Sequence, residues 1–402
     1  MQDSDSKKWT TDVFGLDTSP VPVSGCTSPA YFEQEVEKIF RRCWINVGRV
    51  HEVEKPGDFF VFNFEALKSS IIVVRDAEGT VRAFHNVCSH RCNKVTWETR
   101  GSCRRFACEF HGWTYSLDGR LQYVPDEAEF FNFSKADNGL TPIAVEIWEG
   151  FIFINVDPTP SQTLKEFMGD IYDGIEGYPF DKFTNCYAWQ MEIGCNWKIL
   201  RDAFSELYHV PFIHKVSAAD NFQAATQAVP HALGFNLFPH GGLYSIFGTP
   251  AGAPCPVGDL ANKYGSTTRK TGERLEKSPK IMNPQKSDDW AGDLLQLFPN
   301  FMIALFPGFY LWHGFRPVAP DRCTYVFRAY YTQPANAAQR FSQEYAATQL
   351  RDSILEDSQT LEHTQSVLAS GGKTHFQLSD QELLIRFNHK LTQDFAGPYP
   401  AA

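Results

Sequence analysis

The sequence predicts an α+β protein with an antiparallel β domain near its start and a mixed domain of strands and helices after it. Three observations carry this. Short β-rich runs punctuated by glycine-containing turns crowd residues 45–156. Beyond them, helical periodicity at Asn196–Tyr208 and Gln343–Leu368 is interleaved with strand-like segments near 242–248 and 297–331. With 402 residues, 43% of them hydrophobic, the chain is too long for one ordinary core.

Taken in order, residues 1–27 are polar and turn-rich. Ser28 then stands as an N-cap before Pro29, and Phe32, Val36, Ile39 and Phe40 recur at helical spacing, so an amphipathic helix is expected over 29–42. From Trp44 the period becomes strand-like, in "DFFVFNF", "SSIIVVRD", "TVRAFHNV", "WTYSLDGRLQYV" and "GFIFINVD". "DAEGT" and "LDGR" read as hairpin turns. The expected division is an arm and helix over 1–44 that packs on the C-terminal domain, a β domain over 45–156, and the mixed domain over 157–402. Residues 249–290, rich in Gly, Pro, Ser and Lys, read as a long loop, either a lid or a disordered excursion.

Composition excludes several classes. A formal net charge of −10 gives a nucleic-acid partner no electrostatic support. The opening residues lack the apolar core of a signal peptide. The longest apolar run, Phe301–Trp312, contains Pro307 and falls short of the roughly 20 residues a membrane helix needs. A cytoplasmic protein is therefore expected, and its ten cysteines read as reduced thiols or metal ligands. Cys26, Cys43, Cys186, Cys195, Cys255 and Cys323 are scattered singly and read as buried or idle.

The other four cysteines are clustered. Cys88-x-His90 and Cys108-x-x-His111 are two short pairs separated by seventeen residues. A structural zinc site, with or without Cys92 and Cys103, is one reading. Zinc fingers, however, place both cysteines on one arm and both histidines on the other. One Cys and one His on each arm suits a [2Fe–2S] cluster with two thiolates on one iron and two imidazoles on the other. His85 reads as a strand residue. Arg91, Lys94, Arg100, Arg104 and Arg105 face only Glu98 between the pairs, either as a solvated loop or as a docking patch for an acidic electron donor.

A second constellation lies in "NWKILRDAFSELYHVPFIHK". Read as a helix, Ile199, Asp202, Glu206 and His209 share one face, and Trp197, Leu200, Phe204 and Leu207 another. Carboxylates on a helix buried on both sides need a positive partner, which a metal supplies. His209 and His214 would point about 140° apart on an ideal helix; Pro211 is expected to break it and let His214 fold back. In Leu350–Gln365 an apolar stripe of Leu350, Ile354 and Leu361 is interrupted by Asp357, with Glu356 off the stripe. Two imidazoles and one carboxylate with open positions suit a mononuclear ferrous site.

These motifs together, C-x-H-(x17)-C-x-x-H followed by Gly112, Trp113 and "DGRL", then N-W-K…E-x-Y-H-x4-H and a later E-D, resemble the oxygenase (alpha) component of Rieske non-haem iron oxygenases of the aromatic-ring-hydroxylating family. The resemblance runs from about residue 28 to 370. It implies a Rieske-type antiparallel β domain and a catalytic domain with a curved antiparallel sheet flanked by helices, of the helix-grip or START-like kind. It implies that Cys88, His90, Cys108 and His111 bind the cluster, and that His209, His214 and Asp357 bind Fe(II). Glu206 would bridge one subunit's mononuclear site to its neighbour's cluster. Asp202, where the family usually has Glu or Asn, is a candidate acceptor for a ligand histidine. Cys92 stands where the family usually has Gly, and Ala203 where Asn is common.

The resemblance further implies O₂-dependent hydroxylation, by mono- or dioxygenation, of a small hydrophobic, aromatic or alicyclic, substrate; N- or O-dealkylation is the alternative within the family. Glu rather than Asp at position 206 leans toward monooxygenation. An electron-transfer or zinc-binding module is the alternative from another class. No G-x-G-x-x-G opens a helix and no plant-type ferredoxin cysteine set is present, so NAD(P)H would act only through a separate flavin-type reductase, with or without a ferredoxin. A head-to-tail homotrimer, with or without β subunits, is implied. Phe204, Leu207, Phe222, Tyr244, Phe247, Leu295, Leu297, Phe301, Ile303, Phe309 and Trp312 are the expected pocket residues.

Overall fold

The structure is a computed structural model that describes residues 9–214, 217, 234–247, 256–264, 278–288 and 290–401. The chain divides into two compact units, Val36–Glu166, and Met1–Glu35 with Phe167–Ala402. Among the described residues no helix is long and apolar enough to cross a membrane.

The Val36–Glu166 unit is built on β1 (Ile45–Arg49), β2 (Asp58–Phe64), β3 (Ser69–Arg75), β4 (Val81–His85), β5 (Arg100–Ser102), and, after a small antiparallel sheet of β6 (Phe106–Ala107), β7 (Thr114–Tyr115) and β8 (Leu121–Tyr123), β9 (Pro142–Trp148) and β10 (Phe151–Asn155). The larger sheet runs β1-β10-β9-β4-β3-β2-β5 with antiparallel pairings. The β-branched run Ile71–Val74 of β3 is fully buried, as a strand covered on both faces should be. Phe59, Ile72 and Phe84 of this sheet share a core with Phe106 and Tyr115 of the small one and with Trp113 just before it. That core fixes the two loops that carry the Cys/His pairs.

The other unit contains α1 (Pro29–Glu35), β11 (Asn185–Ile193), α2 (Trp197–Ala203), α3 (Val210–Ile213), β12 (Gly234–Phe238), β13 (Gly241–Phe247), α4 (Pro256–Tyr264), β14 (Trp290–Leu297), β15 (Phe301–Phe306), β16 (Phe309–Ala319), β17 (Arg322–Tyr331), α5 (Ala337–Leu368) and α6 (Leu383–Ala396). Its antiparallel sheet has the order β11-β17-β16-β15-β14-β13-β12. Side-chain alternation sorts the central strands into two faces. Tyr244, Leu294, Ala304 and Leu311 lie in one register row on one face, and Met302, His313 and Phe327 in another row of the same face. Gly292 lets Phe306 lie across this face, because a Cβ there would come within 2.4 Å of the ring.

Several sequence expectations are corrected. The helix expected over 29–42 is α-helical only to Glu35, and Val36–Phe40 forms a π-helical turn. The helix expected over Asn196–Tyr208 stops at Ala203. Within 249–290, the described residues include α4, not only loop; the lid expectation otherwise lies outside the described residues. Strands β9 and β11 and the amphipathic helix α6 were not anticipated.

Candidate metal centres

The two Cys/His loops of the first unit have the same backbone. In each, an N–H four residues on bonds the cysteine carbonyl: Cys92 N–H to Cys88 O at 3.0 Å, and Gly112 N–H to Cys108 O at 2.8 Å. Each cysteine N–H then donates across the loop, Cys88 to Asn93 O and Cys108 to Trp113 O. The fifth position turns left-handed in both, with φ 57° at Cys92 and 72° at Gly112. The Asn86 side chain braces the first loop by accepting the N–H groups of Val95 and Thr96.

The donors are sorted by type. Cys88 and Cys108 are buried, and burial, together with the neighbouring Cys88, pushes the Cys108 thiol up. The His90 and His111 rings meet edge to face with centroids 4.4 Å apart, at the outer end where His111 is exposed. His90 stacks on Trp113, and its Nδ1 is buried with no hydrogen-bond partner. Thiols together, imidazoles together and an orphaned imidazole nitrogen fit a two-iron cluster with mixed ligation. The Tyr115 hydroxyl lies 3.2 Å from Cys88 Sγ and accepts the Ser89 N–H. Cys92 is exposed and Cys103 half-buried, and both are free thiols. The five basic residues of the strip are exposed. Of the scattered thiols, Cys195, just past the end of β11, and Cys323 of β17 lie with their sulfurs 3.8 Å apart.

In the second unit, α2 begins at an Asn196 cap whose side chain accepts the Lys198 N–H. It ends because Glu206 turns its carboxylate onto the backbone N–H groups of Tyr208 and His209, a local bond that competes with the helix. Glu206 and His209 therefore lie on a turn and not on the helix face expected. Pro211 sits in the first turn of α3 and starts a helix where it was expected to break one. That single turn brings His214 back beside His209.

His209, His214 and Asp357 offer ligand atoms all within 4.8 Å of one another. Asp357 Oδ1 lies 3.5 Å from His209 Nε2 and 3.2 Å from His214 Nε2. His209 Nδ1 is bonded to the Glu206 carboxylate, and His214 Nδ1 to Glu356 at 2.8 Å. A carboxylate accepts, so both protons are fixed on Nδ1 and both Nε2 lone pairs face a third carboxylate. Lone pairs converging in a buried site call for a cation between them. At His214 burial pushes the pKa down, but bonding and charge from Asp357 and Glu356 outweigh it and hold it above the ordinary value. These residues fit a mononuclear metal.

Asp202 does not reach a ligand histidine. It bonds His389 Nε2 of α6 at 2.8 Å and Arg201 at 3.2 Å, and His389 Nδ1 is tied to Tyr399 at 2.5 Å. Burial would raise the Asp202 pKa, yet His389 and Arg201 hold it below the ordinary carboxylate value. Glu356 fills the role expected of Asp202. A buried chain of Asn388, Gln296 and Ser205 anchors the turn after α2: Asn388 donates to Gln296 at 2.7 Å, and Gln296 donates to Ser205 at 2.6 Å.

A cavity of about 260 Å³ opens onto the triad. Of the pocket residues expected, Phe204, Leu207, Tyr244 and Phe309 line it. Leu295, Leu297, Phe301, Ile303 and Trp312 are buried on the opposite face of the sheet, Phe247 is not among the lining residues, and Phe222 lies outside the described residues. Leu294, Met302, Leu311, His313 and Phe327 take their places.

A cradle of two thiols and two imidazoles, with a separate triad of two imidazoles and one carboxylate, is the donor chemistry of a protein that pairs an iron–sulfur cluster with a mononuclear metal. The chain belongs to the ring-hydroxylating alpha subunit family, whose catalytic-domain model matches residues 180–397, and a Rieske [2Fe–2S] domain model matches residues 43–140. Membership implies a Rieske cluster and a mononuclear iron. The chain is 33% identical over 207 residues to the chloroplastic choline monooxygenase of Beta vulgaris, a match covering 50% of this chain and 45% of that protein. It is 32% identical over 178 residues to the oxygenase subunit of glycine betaine monooxygenase from Pseudomonas aeruginosa, covering 44% and 41%. These matches span about half the length of the curated relatives. In fold the chain is similar to a quaternary ammonium Rieske monooxygenase, with TM-score 0.75, 21% identity and coverage of 94% and 95%. It is also similar to naphthalene 1,2-dioxygenase from Rhodococcus sp., with TM-score 0.72, 20% identity and 95% of each chain covered.

Proposed function

We propose that this chain is a terminal oxygenase that takes electrons from a separate reductase, with or without a ferredoxin, and uses O₂ to oxygenate a small, largely apolar substrate. The observation that carries the reading is the His209–His214–Asp357 triad at the wall of an apolar cavity. In the proposed division, residues 45–156 serve the cluster and 157–402 the mononuclear iron, and of the arm and helix over 1–44 the part up to Glu35 braces the latter. Cys88, Cys108, His90 and His111 would hold the cluster; His209, His214 and Asp357 would hold the iron. With both bound, the cluster supplies single electrons and the iron supplies O₂ activation.

The chain's own residues do the rest. Glu206 and Glu356 keep the protons on the far nitrogens of the two ligand histidines, so that both present lone pairs. Glu206 is bonded to His209 at the position assigned to inter-subunit coupling in a head-to-tail homotrimer. Phe204, Leu311 and Phe327 exclude water and orient an apolar substrate. Asp202 acts at one remove, by fixing His389 and the helix end.

We favour monooxygenation, on Glu at position 206. Oxidative N- or O-dealkylation is the second reading, and the relatives named for choline and glycine betaine make quaternary ammonium compounds the substrates to try beside aromatic ones. Turnover of aromatic and quaternary-ammonium compounds with ¹⁸O₂ and a reductase separates them. Monooxygenation leaves one labelled atom in the product, dihydroxylation leaves two, and dealkylation releases an aldehyde. O₂ consumption that no compound stimulates, with no label in any product, would refute the reading.

A further inference from the structure

Among the described residues lining the cavity, one buried polar atom, His313 Nε2, has no protein hydrogen-bond partner. His313 is 4% exposed and lines the cavity from β16, on the same sheet face as Met302 and Phe327. Its ring is flanked by Phe204 and Phe327, with centroids 5.1 and 5.0 Å away. Its Nδ1 lies 2.6 Å from the Tyr325 hydroxyl, and its Nε2, on the other edge of the ring, is buried without a hydrogen bond. Burial drives its pKa down to about 3, so the ring is neutral and carries one proton.

The tautomer follows from counting partners. If Nδ1–H donated to Tyr325, the phenol proton would have no acceptor and the Nε2 lone pair no donor, leaving two groups unsatisfied. If Tyr325 O–H donates to Nδ1, only the Nε2–H is left over. The second arrangement is the cheaper one. An N–H buried beside a mostly apolar cavity is a vacancy for an acceptor.

We propose that His313 is a specificity-determining residue, whose Nε2–H receives an acceptor oxygen on the substrate and so selects an apolar body bearing a carbonyl, ether or carboxylate oxygen over the matching hydrocarbon. The inference rests on the oxygenase reading for taking this cavity as the substrate site. A substrate without such an oxygen leaves a buried donor unpaired, and a site built around a hydrogen bond rejects the analogue lacking it.

The test uses holoenzyme with its iron and sulfide content measured in the same sample. Two pairs matched in shape serve as probes: anisole against ethylbenzene, and acetophenone against α-methylstyrene. Dissociation constants are read from the change each probe makes in the EPR signal of the ferrous site treated with nitric oxide. Wild type should bind the oxygen-bearing member about tenfold more tightly. His313→Leu should reduce that preference to less than about twofold, and His313→Gln, which keeps an N–H, should restore most of it. Should His313→Leu fail to fold, His313→Phe keeps a ring and removes the N–H, and should also lower the preference to less than about twofold. An equal ratio in wild type and in His313→Leu or His313→Phe, or no response to any oxygen-bearing probe, would overturn the inference. Absence of either iron centre from the sample would refute the oxygenase reading instead.

Discussion

At the scale of single residues, Cys92 and Gly112 occupy equivalent corners of two equivalent loops. Both are left-handed, and only glycine takes that conformation without strain. Cys92→Gly is expected to stabilise the cluster-bearing unit by up to about 1 kcal/mol, the relief of strain being partly offset by a freer unfolded chain. A rise in the urea midpoint at unchanged slope would show this; a fall would mean the Cys92 side chain makes a contribution of its own. The cysteines and histidines proposed as ligands were legible in the sequence, because Cys-x-His, Cys-x-x-His and His-x4-His place donors within single turns. Glu356, His313 and His389 were not. Each is one polar residue on a regular element, and only the packing of distant elements shows what it faces. Asp202 was assigned to a ligand histidine because the helix was read as continuing; its partner came from a helix nearly two hundred residues away.

At the scale of elements, the helices were legible where apolar periodicity is long, as in α5, and failed where a side chain overrides it. Glu206 capping its own downstream backbone ended α2 early, and no propensity reports that. Strand-like segments were found near 242–248 and 297–331 while β9, β11 and most of β14 were missed, and strand faces were mixed, because β14 to β17 are hydrophobic on both faces and alternation leaves no mark. Helix α2, which leads into the site, is tied to α1 by a buried pair: Lys198 Nζ lies 2.5 Å from Glu35 Oε1, both side chains are fully buried, and Trp197 Nε1 donates to the other oxygen. Breaking such a pair leaves a buried charge. Glu35→Gln or Lys198→Met alone should cost about 3–5 kcal/mol. The double variant, which keeps an acceptor for Trp197, should recover most of that. Additive losses in a double-mutant cycle would show that the two residues are not coupled.

At the scale of the whole molecule, stability against pH should carry a signature of the catalytic sheet. Asp293 lies on the face away from the cavity, accepting from Ser245 Oγ and the Asn283 N–H, and burial raises its pKa from 3.8 to about 6. An acid whose pKa is higher folded than unfolded destabilises the fold once both states are ionised. The penalty is absent below the unfolded value, grows as pH rises between about 4 and 6, and is full above that, on the order of 3 kcal/mol. Asp293→Asn should therefore melt higher than wild type at pH 7 and alike at pH 4. A constant difference across that range would contradict the assignment. The central claim is that one polypeptide carries two kinds of iron centre, and metal analysis of paired samples tests it most directly. Fully loaded wild type should contain about three irons and two acid-labile sulfides per chain, and Asp357→Ala should lose one iron while keeping the sulfide and the visible spectrum. Loss of sulfide and colour in that variant, or a colourless wild type holding zinc, would contradict the account.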